Sequence, residues 1–158
     1  MTNNIKHGEI EDNEKLYRRV PIHNENAHPN ERKYYYDMSG VLKVTPYAFL
    51  DKARQPSTDR ACNRNFDPTE TRTCDTDGII LLIAGDIRNK VNVDGHDVYV
   101  KYKPEYGNIA HSLILLKPHP NTKNKRARFR EDLADIANMR GWAMGPLVPP
   151  TDIAHKKN

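Results

Sequence analysis

Hydrophobic and polar positions recur along the chain with periods that divide it into elements. In "KLYRRVPIH" (Lys15 to His23), Leu16, Arg18 and Val20 share one strand face and Tyr17 and Arg19 the other. Pro21 ends or edges that strand, and "NENAHPNE" after it has turn chemistry. Extended chain is expected again at Tyr34 to Tyr36, a turn at Ser39-Gly40, and β-type composition through Val41, Leu42 and Val44. Thr45-Pro46 reads as an N-cap and a first helical proline, opening a short helix from Pro46 to about Arg54. Residues 55–78 form a long polar connection.

"IILLIAGDIRNK" suits a helix capped by Asp77 or a buried strand, since so short an apolar run has no decisive period. The helix is the preferred reading. "KVNVDGHDVYVKYK" (Lys90 to Lys103) carries Asp94-Gly95 between alternating segments and predicts a two-residue hairpin pairing Val93 with His96. Its buried face would hold Val91, Val93, His96, Val98, Val100 and Tyr102, leaving Asn92, Asp97, Tyr99, Lys101 and Lys103 outside. "IAHSLILLK" (Ile109 to Lys117) is apolar on both faces, as a central strand should be. Thr122 then caps a helix whose stripe is Phe129, Leu133, Ile136 and Ala137, and Gly141 stops it. Trp142, Met144, Leu147 and Val148 fold back on the body. The expected class is α+β, a small, mainly antiparallel sheet with two or three packed helices. Residues 15–150 make the single domain, between a disordered tail over 1–14 and a frayed tail over 151–158.

Composition sharpens this in two places. The 158 residues carry 25 basic and 21 acidic side chains, a net charge of +4, too small an excess to diagnose nucleic-acid binding by itself. Cys62 and Cys74 lack the paired spacing of a zinc site, and neither "DTDG" nor the Asp94/His96/Asp97 group completes a ligand series. No metal and no cofactor is implied. The polar start lacks an export signal, so the expected compartment is the cytoplasm with reduced thiols. The longest apolar run is too short to cross a bilayer, so a membrane partner is not expected.

Two sets of residues could carry chemistry. The first is "TKNKRARFRED", which places Lys123, Lys125, Arg126, Arg128 and Arg130 at a helix start, against the helix dipole. With Lys101, Lys103 and Tyr99 they could form a surface for nucleic acid or a protein partner. The second is His111, at the entrance to the most apolar strand, where an imidazole can act as a base or bind an anion. Of Arg18 and Arg19, only one can point inward, and an internal carboxylate is the ordinary partner for it.

The pieces "YRRVP" (Tyr17 to Pro21), "AGDIR" (Ala84 to Arg88), "NIAH" (Asn108 to His111) and "KRARFREDLADIA" resemble a broad family of small bacterial proteins to which no activity is attached. "TPYAF" matches that pattern only loosely, and Cys62 to Asp77 has no counterpart in it. The resemblance implies that Arg19, Arg88 and His111 belong together, and it favours helix for Ile79 to Arg88. "KLYRR" is also similar to the opening of ADP-ribosyltransferase-like toxins, although no catalytic glutamate is identified. The preferred expectation is a non-enzymatic binding or adaptor module acting through the basic helix start and neighbouring sheet. A small enzyme or toxin built on Arg19, Arg88 and His111 is the alternative, and a structural subunit of a larger assembly the third.

Overall fold

The computed structural model describes residues 5–21, 32–51 and 54–147. The turn expected over 24–31, Val148 and the C-terminal tail lie outside the described residues.

Among the described residues, eight strands and two α-helices follow one another as β1 (Lys15–Val20), β2 (Tyr34–Tyr36), β3 (Leu42–Val44), β4 (Ser57–Arg60), β5 (Gly78–Ile83), α1 (Ala84–Lys90), β6 (Asp97–Tyr102), β7 (His111–Lys117), α2 (Lys123–Arg140) and β8 (Trp142–Met144). Six strands form one sheet in the order β6-β7-β4-β1-β5-β8, every pair antiparallel, and β2 and β3 make a separate ladder. The class is α+β, as expected.

Strand alternation gives this sheet two different faces. On one, Leu16, Val20, Ile80, Leu82, Val100, Ile114 and Leu116 pack under Phe129, Leu133, Ile136 and Ala137 of α2. The helix is bounded as its sequence implies: the Thr122 hydroxyl accepts from Lys125 N, and Gly141 ends it at φ +85°. The other face holds a smaller cluster around Tyr17, Ala61 and Ile79. Short 3-10 turns at Ala61–Arg64 and Pro68–Thr71 flank it.

Four expectations need correction. Ile79 to Ile83 is strand, not helix; it pairs with β1 and β8, and both its faces are apolar because Ile80 and Leu82 enter the main core while Ile79 and Leu81 pack in the cluster on the other face. The turn at Asp94-Gly95 exists, with Gly95 at φ +80°, but no hairpin surrounds it. Residues 84–90 are already committed to α1, so β6 pairs with β7 instead, around the turn at Tyr106-Gly107. Third, the stretch expected as a helix from Pro46 followed by a polar connection is a 3-10 turn ending at Phe49 and then, after Pro56, a central strand, β4.

The fourth correction concerns residues 5–14, which are docked on the body. Arg60 is fully buried and donates to the carbonyls of Lys6 (3.2 Å) and Gly8 (2.6 Å) while gripping Glu14 through Nε (3.0 Å) and NH2 (2.7 Å). The first N–H groups of α1 have no side-chain cap; Ala84 N donates to Glu14 O and Gly85 N to Asp12 O. Gly85 is required there, because a Cβ would stand 2.9 Å from Asp12 O.

Candidate functional site

The register brings residues from four strands into line on the face away from α2. Lys103, His111, Asp59 and Tyr17 occupy one row, and Lys101, Leu113, Ser57 and Arg19 the next. A cleft of about 320 Å³ opens above these rows, walled by residues 64–73 on one side and the β6–β7 turn on the other. Arg19, Arg64, Arg72 and His111 all line it.

Asp59 is the hub of that cleft. One carboxylate oxygen accepts from Arg64 Nε (2.9 Å) and Thr71 Oγ1 (3.0 Å), and the other from Asn108 Nδ2 (3.0 Å). Arg64 NH2 then donates to Asn108 Oδ1 at 2.7 Å, tying the two walls together. With its oxygens thus engaged, Asp59 offers an incoming anion little open carboxylate to repel it.

The remaining groups are less occupied. His111 Nδ1 stands 2.8 Å from Lys103 O, so this nitrogen carries the hydrogen and donates it. In the neutral ring Nε2 is then a lone-pair acceptor, and it has no hydrogen-bond partner among the described residues. Glu105 Oε1 lies 3.7 Å from the same Nδ1, where it would stabilise a charged ring. Arg72 NH1 donates to Asp75 O at 2.9 Å, while its buried Nε has no acceptor among the described residues. Among the described residues, Arg19 pairs with Asp77, its NH1 standing 3.5 Å from the carboxylate. Burial acts to raise the Asp77 pKa, but the Cys74 and Thr73 N–H groups, the Thr73 hydroxyl and Arg19 outweigh it and hold it below the ordinary carboxylate value. Burial, with Asp67 nearby, pushes the Tyr17 phenol upward. The site can therefore present cationic and N–H donors to an anion, with the imidazole Nε2 lone pair open to a hydroxyl donor.

Two of the three residues grouped from the sequence, Arg19 and His111, meet in this cleft. Arg88 does not. Its guanidinium donates to Asp12 Oδ1 (2.7 Å) and Ile10 O (2.6 Å), pinning the N-terminal segment beside the edge strand β6. Arg18 is the inward arginine, and Asp51 accepts two of its N–H bonds at 3.0 and 2.8 Å, the internal pairing anticipated for it.

The basic helix start is divided. Arg126 and Arg130 flank one side of the buried stripe, beside Phe49 and Arg54. Lys125 and Arg128 flank the other, beside Asn92 and Asp94. Arg128 is paired with Asp132 at 2.9 Å, and Lys123 is exposed. Tyr99 and Lys101 point to the opposite sheet face, where Lys117 Nζ lies 5.1 Å from the Tyr99 ring centroid. They therefore share a face with Arg19 and His111, not with the helix cations, and Lys103 contributes its carbonyl to His111.

Arg64, Arg72 and Asp59 were missed because they sit in a stretch that reads as polar loop. The one available signal was "STDR", four β-compatible residues after Pro56. Among the described residues, no helix is long and apolar enough to cross a membrane. Compared with family models, with curated proteins and with solved structures, the chain matches none.

Proposed function

We propose that the chain binds a phosphate-bearing ligand in the cleft between residues 64–73 and the β6–β7 turn. Arg19 and Arg72 donate to the phosphate oxygens, the His111 Nε2 lone pair accepts from a phosphate hydroxyl, and Asp59 holds the walls in place. One observation carries this reading: Arg19 and His111, grouped in the sequence by resemblance, line one cleft together with Arg64 and Arg72. The reading keeps the anion pocket of the enzymatic alternative and claims only binding. The adaptor reading through the helix start is less well supported, because its cations divide across the stripe that docks α2.

Titration of the full chain with inorganic pyrophosphate by calorimetry tests the proposal. Saturable binding is expected, and Arg19→Ala, Arg72→Ala and His111→Ala should each weaken it about tenfold or more, the value of a charge-assisted hydrogen bond. Unchanged affinity in all three variants would remove the cleft from consideration.

A further inference from the structure

We infer that the ligand is a nucleotide unit, with its phosphate in the cleft and its base on the rings of Phe66 and Tyr106; this rests on the anion-binding reading above. Phe66 is 62% exposed, two residues beyond Arg64 in the cleft wall. Asn65 and Phe66 lie at φ +55° and +54°, the left-handed region that a bulky aromatic rarely adopts. Such strain persists only where the surroundings impose it. Here they do: Phe66 N donates to Ala61 O and Asp67 N to Arg64 O. The ring is thus held outward at a conformational cost, and burial returns little of that cost.

Tyr106 is the counterpart on the other wall. It is fully exposed at the centre of a turn closed by reciprocal hydrogen bonds, Glu105 N to Asn108 O and Asn108 N to Glu105 O. Gly107 follows it at φ +83°. The two aromatic tips are coupled through the Arg64–Asn108 bond at 2.7 Å and their shared Asp59 anchor. Both exposed residues are therefore held next in the chain to lining residues of the cleft, Phe66 two positions after Arg64 and Tyr106 directly before Gly107.

Flat π surfaces beside phosphate donors match one chemistry better than others: a planar base joined to a phosphate. Stacking on such rings tolerates any base, because each has a π face. At about 320 Å³ the cleft is at the small end of ligand sites, which suits a phosphate and sugar inside and a base at the rim. Glu70 and Glu105 border the site and disfavour a long polyanion running across it. A free mononucleotide and the end of a single strand share this chemistry.

Calorimetry on the full chain with AMP, ribose 5-phosphate and a short oligodeoxyadenylate separates the outcomes. AMP should bind about tenfold more tightly than ribose 5-phosphate, from one stacked base. Phe66→Ala and Tyr106→Ala should bring AMP toward the ribose 5-phosphate value without changing the latter, whereas His111→Ala should weaken both. Phe66→Leu, which keeps an apolar side chain but no ring, should behave as Phe66→Ala does. An oligonucleotide tighter than AMP assigns the site to a strand end, and equal affinity assigns it to the free nucleotide. Equal affinity for AMP and ribose 5-phosphate, with silent aromatic variants, overturns the base assignment and leaves the anion site standing. No binding of any of the three removes both.

Discussion

Replacing Glu14 by Gln leaves the Arg60 guanidinium inside the protein without its counter-charge. Arg60 is fully buried and Glu14 nearly so, and the pair is joined through two bonds, at 3.0 and 2.7 Å. Removing one partner of a buried pair costs about 3–5 kcal/mol. The lower end applies here, because Arg60 keeps the Lys6 and Gly8 carbonyls and the Tyr102 ring at 4.6 Å. A loss of about 3 kcal/mol in a chain of this length lowers Tm by roughly 6–12 °C. Urea unfolding followed by Trp142 fluorescence measures it, with amide exchange over residues 5–13 reporting release of the docked segment. The pH dependence supplies an internal check. Burial acts to raise the Glu14 pKa, but the Arg60 bond, the Glu11 N–H, and the Arg60 and Lys6 charges outweigh it and lower it from 4.5. A depressed folded value means the stabilisation is complete above the ordinary pKa and lost as pH falls through the folded one. Parent and variant should therefore draw together only as pH falls through that depressed value, below the ordinary 4.5. A difference under about 1 kcal/mol at pH 7, or one that does not shrink in acid, refutes the reasoning.

Asp51 follows the same logic: burial opposes ionisation, but Arg18 and the Ser57 N–H keep its pKa low, so Asp51→Asn should flatten the acid limb of the stability curve. Gly78→Ala should cost about 1–3 kcal/mol and shift the emission of Trp142, whose ring atom stands 2.5 Å from the new Cβ position. Arg88→Ala should speed amide exchange over residues 10–12 and leave pyrophosphate binding unchanged, since Arg88 lies outside the cleft. Phe66→Gly should stabilise the fold by up to about 1 kcal/mol in thermal melts, by releasing left-handed strain. The same variant should lose the preference for AMP.

The legible parts of the fold were those whose local signals had no competitor. α2 has a capping threonine, a stripe and a stopping glycine, and all three hold in the structure. The hairpin at Asp94-Gly95 was misread because turn chemistry is local, while the strand's partner is chosen by tertiary packing. β5 was ambiguous for a physical reason: a strand covered on both faces is apolar on both and loses its period. β4 was hidden differently. Its residues Thr58, Asp59 and Arg60 look like loop, yet all are buried, each held by a partner more than ten residues away. The same concealment covered the site, because Asp59 and Arg64 acquire their roles only when the sheet brings Asn108 beside them.

The position of β1 has a consequence for how the chain assembles. It lies inside the sheet between β4 and β5, strands that begin only at Ser57 and Gly78. The β6–β7 hairpin closes through local contacts, whereas both ladders of β1 join segments far apart in the chain, so the middle of the sheet depends on its slowest-forming pairings.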